Sequence, residues 1–451
     1  MYKINQTTES HRLLAPKVLL ADTTRWAGTA RLALELSRVE IAVAAVCPDR
    51  HPLLKAREHF TTYPYSARHP ENSLVAAIAA SQPNLILPCD ERAAHHLREL
   101  HRWAKSRGHA HHDLATLIET SLGDPASHPT VASRHAFLDV ARQEGLLVPD
   151  TQTVESADDL AEWEKHRPFP WVMKADGTWG GGGVKVVHTM KQAVEAYSAL
   201  RRMFNLRRVI TKTCVARDLF WLRPWWAGVR PAITVQSYID GSPANCGFLS
   251  WQGSVLACIS VEAVNTLYDT GPASVVRIVE SREMLRAAEK VAARLGLSGF
   301  AGLDFMIDKS GAAHLIEINP RCTPLCHLRL GPGQDMIEAL RAQLLMTAPR
   351  VVSAKTKSTV IAYFPQAWHC KSELHEGVFQ DIPENEPELA KELLHPWPSR
   401  TWLSRVTNYL CQIKAQGKEP IPGNYQEVLP RSTKGKGTGF PAETTATTRV
   451  R

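Results

Sequence analysis

The sequence predicts a chain of mixed α/β and α+β domains, and three observations carry that reading. Short apolar strands alternate with helical segments over residues 17 to 98. From residue 133 to 345 strands and helices are interspersed without that alternation. Within the second stretch, residues 299 to 321 hold two apolar runs of period two around a turn. With 44% apolar and 22% charged residues in a length of 451, the chain has material for two or three cores, which excludes a disordered or fibrous protein.

The first region reads KVLLAD (17–22), IAVAAVCP (41–48) and NLILPCD (84–90) as strands. A helix through Leu32, Leu34 and Leu36 and another over about Glu71 to Ser81 separate them, and a third helix begins near Glu91. Strands alternating with helices imply a parallel layer. Ligands of such sheets sit at the carboxyl ends of strands, which singles out Thr23 and Asp90; a plain helix cap is the alternative for each. The turn ADTTRWAG lacks G-x-G-x-x-G, so no dinucleotide signature is visible.

The second region opens with a helix, SRHAFLDVARQE (133–144), that Gly145 ends, followed by extended LLVPDTQTV. WVMKA (171–175) and VKVV (184–187) then flank the glycine stretch KADGTWGGGG, which reads as a hairpin flap. With no helix behind it and no Gly-Lys-Ser/Thr, it is not a P-loop. Thr189 and Gln192 form a capping box, and Ala193, Tyr197, Leu200 and Phe204 a helical stripe. Strands follow at AITVQSYIDG (232–241) and VLACISVE (255–262). Met284, Ala288, Val291 and Leu295 make one more helix face, stopped by Gly296. STVIAYFP (358–365) and a helix carrying Trp402, Val406, Leu410 and Ile413 suggest a further small lobe. Residues 429–451 are polar and read as disordered.

The N-terminus has no secretory apolar core and no run of about 18 apolar residues occurs, so a cytoplasmic location is expected. Nine scattered cysteines suit reduced thiols rather than a disulfide framework. Cys322 and Cys326 with His327 lack a second ligand pair at zinc spacing. Lys plus Arg exceed Asp plus Glu by 53 to 45, which favours anionic partners without choosing among them.

The segment GFAGLDFMIDKSGAAHLIEINPR (299–321) is the most informative. Asp308-Lys-Ser-Gly311 is turn chemistry. With the loop centred between Lys309 and Ser310, Asp304 lies opposite Leu315 and diagonal to Glu317, about 7–8 Å away. Leu303, Phe305 and Ile307 then share one face, and Asp304, Glu317 and Asn319 the other; a loop of odd length breaks that arrangement. Two carboxylates and an amide at this separation suit a hard cation such as Mg²⁺. A solvated acidic face is the alternative, but Glu317 stands inside the apolar run HLIEINP, where an unpaired charge is costly. Arg321 adds a cation two residues beyond Asn319.

In order and spacing, Lys174 before a glycine-rich hairpin, VQSYIDG (235–241), Asp304 and EINPR (317–321) resemble the ATP-grasp superfamily, and in particular its carboxylate-amine ligases. The resemblance covers about residues 16 to 345. It implies an ATP-grasp fold: a pre-ATP-grasp α/β domain (16–125) and an ATP-grasp domain of two α+β subdomains (126–345). A C-terminal extension lobe (346–428) and the tail (429–451) complete the chain. By matching positions, Arg134 and Lys174 would bind the α- and β-phosphates under the flap of Gly180, Gly181 and Gly182. Gln236, Ser237, Tyr238 and Ile239 would present backbone to adenine. The acid that usually contacts ribose is absent, with Asn245 as its substitute. Asp304, Glu317 and Asn319 would hold one or two Mg²⁺, and Arg321 would stabilise transferring charge, with Arg277 a further contact to γ-phosphate or carboxylate.

The implied activity is an ATP- and Mg²⁺-dependent ligase that activates a small-molecule carboxylate as an acyl phosphate for attack by an amine. A carboxyphosphate-forming enzyme acting on bicarbonate and a non-catalytic ATP-binding module are the alternatives. Residues 201 to 231, rich in Arg and carrying Trp221, Trp225 and Trp226, read as a lid or homodimer contact, or as a surface for an anionic partner.

Overall fold

A computed structural model describes residues 15–176, 183–202, 232–267, 271–369, 377–383 and 385–394. The glycines at 180 to 182, the basic segment beyond Arg202, the helix expected around Trp402 and the tail lie outside the described residues. The chain divides into two units, Met1–Pro398 and Ser399–Arg451, and every described residue belongs to the first.

Three sheets organise it. In the first, β1 (Lys17–Ala21), β2 (Ala42–Cys47), β3 (Thr61–Pro64) and β4 (Leu85–Pro88) run parallel in the order β3-β2-β1-β4. The helices α1 (Ala27–Ser37), α2 (Pro70–Ser81), α3 (Glu91–Ser106) and α4 (His112–Leu122) accompany it. Leu19, Ala21, Val46 and Ile86 bury themselves against Leu74, Leu97 and Ile118, as near-continuous apolar strands covered by helices require.

Two short helices, α5 (His128–Ala132) and α6 (Arg134–Gln143), lead into the second sheet. Ser133 caps α6 through the Ala136 amide. The strands β5 (Thr151–Thr153), β6 (Trp171–Ala175), β7 (Val184–Val187) and β8 (Ile233–Ser237) form the antiparallel order β5-β8-β6-β7, joined by α7 (Ala157–Glu164) and α8 (Met190–Arg202). Thr189 caps α8, with Gln192 N donating to Thr189 Oγ1 (3.3 Å), while the Gln192 side chain reaches one residue further back than a capping box would and accepts from His188 N (2.7 Å).

The third sheet has seven strands. They are β9 (Gly241–Trp251), β10 (Ser254–Thr266), β11 (Ala273–Val279), β12 (Gly299–Asp308), β13 (Ala313–Asn319), β14 (Val360–Ala362) and β15 (Phe379–Gln380), in the order β13-β12-β9-β10-β11-β14-β15. One face packs on α6 and on α9 (Arg282–Leu295), where Phe248, Leu303 and Phe305 meet Phe137, Met284 and Val291. Gly296 ends α9 at φ +57°, a left-handed position that glycine accepts at little cost. The strand STVIAYFP, expected in a separate lobe, contributes β14, which pairs with β11 and so extends this sheet. Beyond β13 the chain crosses the other face toward α10 (Met336–Leu345): a Cβ added at Gly302 would meet Thr323 Cγ2 at 2.6 Å, and one at Gly247 would meet Leu325 Cβ at 2.9 Å. Among the described residues no helix is long and apolar enough to cross a membrane.

Candidate active site

The acidic hairpin forms, with a register that departs from the symmetric one expected. Ile307 pairs with Ala313, enclosing five residues, an odd number; Phe305 still follows that register opposite Leu315. A bulge then intervenes, and Asp304 pairs directly with Glu317 and Gly302 with Asn319. Asp304 is therefore opposite Glu317 itself, not Leu315. The odd turn alone would have sent Glu317 to the core face, and the extra residue of the bulge, Ile316, returns it to the side of Asp304. Leu303 and Ile318 accordingly stay in the core while Glu317 and Asn319 do not.

Around this pair the two later sheets converge. Arg134, at the start of α6, donates from Nη1 to Asp176 Oδ1 (2.6 Å) and from Nη2 to Glu317 Oε1 (3.0 Å). Asp176 follows β6, two residues past Lys174; the sequence analysis did not single it out, although side-chain alternation from Lys174 points to it. Lys174 is 6% exposed. Burial and the neighbouring Arg134 push its pKa down to about 8, against the pull of Glu317 and Asp304. Burial also works against the charge of Glu317, but Arg134 and Lys174 prevail and hold it below the ordinary carboxylate range. For Asp304 burial and Glu317 act together, and its pKa rises.

Asn319 Nδ2 donates to Asp304 Oδ2 (2.8 Å), while its Oδ1 accepts from Arg321 Nη2 (3.1 Å). Arg321 also donates to the Cys322 carbonyl (2.9 Å) and lies 3.8 Å from Glu91, so the start of α3 borders one side of the site. Asn245 on β9 pairs with Asp304 on β12 and donates to its Oδ1. Its amide is thus engaged at the acidic hairpin rather than free for a ribose. Gln236 and Ser237 end β8, and Tyr238 and Ile239 cross to β9, so these four residues span the change from the second sheet to the third. The Gln236 side chain is buried and donates to Thr151 Oγ1 (3.1 Å), leaving its backbone as the group a ligand would meet.

Arg277 is not brought to this cluster. Register carries the face of Asp304 through Asn245 and Val261 to Ile278, so Arg277, one residue away on β11, is exposed on the opposite face. His327 is likewise committed elsewhere, bonded to Asp381 at 2.7 Å rather than completing a metal site with the buried Cys322 and Cys326.

Thr23 and Asp90 meet at the carboxyl ends of β1 and β4 in a closed network. Asp90 accepts from Thr23 N (2.6 Å), Thr23 Oγ1 (3.0 Å) and, as the cap of α3, Ala93 N (2.8 Å). Asp22 accepts from Thr24 N (2.7 Å), from the Thr29 hydroxyl and, at 2.9 Å, meets His51 Nε2. Burial opposes the charge of Asp22, but His51 and Thr29 lower its pKa; burial and Asp22 raise that of Asp90.

The family profile described as an ATP-grasp domain matches residues 223–324, which include β8, the linker and the acidic hairpin. The chain contains an ATP-grasp domain. Among curated proteins it is similar to the D-alanine–D-alanine ligase of Geotalea uraniireducens, 29% identical over 129 residues, 24% of this chain and 41% of the ligase. The chain thus spans less than half the length of that relative. Solved structures that it resembles are more distant in sequence but broader in coverage. The N5-carboxyaminoimidazole synthase of Aspergillus clavatus, in complex with ADP and its aminoimidazole ribonucleotide, aligns at TM-score 0.55 with 15% identity, over 76% of this chain and 80% of that one. The L-amino acid ligase of Bacillus licheniformis aligns at 0.51 with 16% identity, over 75% and 77%. At such identity these structures establish the fold.

Proposed function

We propose that the protein is an ATP-dependent, ADP-forming ligase that joins a small-molecule carboxylate to an amine. The observation that carries this reading is the convergence of Asp304, Glu317 and Asn319 with Arg134 and Lys174 at the meeting of the second and third sheets. Two carboxylates opposed across neighbouring strands, one with a raised pKa, are a repulsive pair of hard oxygen donors whose crowding a divalent cation would relieve. Asp304, Glu317 and the Asn319 carbonyl would hold Mg²⁺. When bound, the ion supplies charge neutralisation to the β- and γ-phosphates of ATP.

The chain's own groups supply the remainder. Lys174 and Arg134 offer cations to the phosphates from a buried position, where each counts for more than in water. The linker from Gln236 to Ile239 offers backbone edges to a base. Arg321, fixed by Asn319 and Cys322 beside the first domain, faces charge that develops when a carboxylate attacks the γ-phosphate. An acyl phosphate and ADP result, and an amine then displaces phosphate to leave an amide. Glu91 and the helix it begins border the side at which both substrates would enter. Phosphoryl transfer of this kind needs positioning and charge neutralisation more than covalent help.

The test is ADP release from full-length protein with ATP, Mg²⁺ and a panel of carboxylate and amine pairs. Release requiring both partners is expected, with loss of at least about 100-fold in Glu317→Gln, the size of effect that removing one preorganised charge produces. Release with bicarbonate alone, without an amine, would replace the proposed substrate class by a carboxyphosphate chemistry. Unchanged turnover in Glu317→Gln would remove the metal assignment.

A further inference from the structure

A small cavity of mixed polar and apolar lining lies behind the acidic hairpin, where α3, α4 and α5 approach the start of β12. Arg98, Ser127, His128, Ser298 and Pro320 are among its lining residues, and its volume is about 20 Å³. That is room for a particle somewhat larger than a water molecule, and too little for a phosphate ester. Its chemistry is unbalanced. Arg98, on the buried face of α3, is 7% exposed, and among the described residues it makes no hydrogen bond or ion pair. Glu91, the carboxylate that acts on it, does so from beyond ion-pair distance.

His128 begins α5 on another wall of the cavity, and its Nε2 is buried without a hydrogen-bond partner. Its ring stands edge-on to His101 at 5.6 Å, and His101 is held by Glu119 at 2.8 Å. Burial and the charge of Arg98 push the His128 pKa down to about 4, so the ring is neutral and can carry its proton on Nε2 as a donor. Arg98 and His128 therefore line a small space in which the guanidinium has no paired carboxylate and the buried Nε2 beside it has no acceptor. Asp124, the carboxylate in the lining, is exposed and accepts from the Ala126 amide at 2.8 Å. Buried guanidinium groups are otherwise paired, because the charge is expensive to desolvate.

We propose that this cavity binds one small monovalent anion, a halide or a formate-sized carboxylate, between the Arg98 guanidinium and His128 Nε2. Its position gives the anion a structural consequence. Pro320 stands between Asn319 and Arg321, and α5 leads directly into Arg134, so the ion sits behind both segments that carry the proposed phosphate site. The site is separate from the nucleotide reading: it holds whether or not ATP binds at Lys174.

Chloride nuclear magnetic resonance tests it on the full-length protein, with saturating ADP added so that the phosphate-binding cations are occupied. Excess ³⁵Cl line broadening is expected, reduced at least about twofold by equimolar formate and unaffected by sulfate at equal ionic strength. Arg98→Met should abolish the excess. Should that variant fail to fold, His128→Phe should lower the broadening by at least about threefold. Absence of excess broadening in the wild type, displacement by sulfate, or retention of the full effect in either folded variant would overturn the proposal. If formate fails to compete while chloride broadening depends on Arg98, the ligand is a halide rather than a carboxylate. These outcomes do not depend on turnover, so they stand apart from failure of the ligase reading.

Discussion

Two pairs of closely placed acids, one buried and one half-buried, are partnered in opposite ways in this protein. Asp22 and Asp90 are sealed: hydroxyls, backbone amides and His51 satisfy their oxygens, and the Asp22 side chain is fully buried. Asp304 and Glu317 face long cations and amides instead, and the Glu317 side chain is one-third exposed. Short side chains and backbone amides fix a carboxylate for good, whereas long Lys and Arg side chains can exchange it for a ligand. Composition does not distinguish the two pairs; the length and chemistry of their partners do.

Breaking the first pair should cost stability. Asp22→Ala leaves His51 buried without its carboxylate, a change expected to cost about 3–5 kcal/mol in urea unfolding, with turnover of the folded fraction retained. Loss of turnover at unchanged stability would make the two pairs equivalent and undo the contrast. Breaking the second should do the reverse: Asp304→Asn should lower ADP formation about 100-fold or more while unfolding shifts little, as judged by a melting curve beside a steady-state assay.

A pH titration sharpens the same contrast. With the Lys174 pKa pushed down to about 8, the folded protein binds fewer protons than the unfolded chain between pH 8 and the ordinary lysine value. The contribution of Lys174 to stability therefore improves as pH rises through that interval. Nucleotide binding needs the charged form and should weaken above pH 8, by up to about tenfold per unit, in a calorimetric titration with ADP. A flat affinity across pH 7 to 9.5 would remove Lys174 from the phosphate site. The smallest effect is expected from Arg277→Ala, a change in kcat below about threefold, since that side chain is on the far face of the sheet; a loss near that of Asp304→Asn would place the carboxylate substrate there.

Much of the architecture was legible because it is local. Apolar strands alternating with helices gave the parallel layer, and Thr189, Gln192 and Gly296 marked helix ends through contacts within a few residues. The acids of the hairpin were legible for the same reason, since period-two alternation requires no knowledge of the rest of the chain. Their register was not, because a bulge depends on how β12 packs between β13 and β9. The partner of Asn245 escaped for a related cause: Asp304 is 59 residues away and meets it only when strands pair. Arg277 shows the limit from the other side, because a motif position carries no information about which face of a seven-stranded sheet it will occupy.

The extra residue at Ile316 has a practical meaning for anyone editing this hairpin. It separates the tip from the working end, so Ala313 and Leu315 follow one count and Glu317 and Asn319 another. Deleting Ile316 should remove the bulge while leaving Leu315 opposite Phe305 and Glu317 opposite Asp304, so the two ligands keep their face. Adding one residue at the tip should instead carry the whole returning strand out of step. Residue 316 is thereby the one position of β13 at which a single deletion is compatible with a working site; elsewhere within the paired strand a lone insertion or deletion sends Glu317 and Asn319 to the core face unless a second change offsets it.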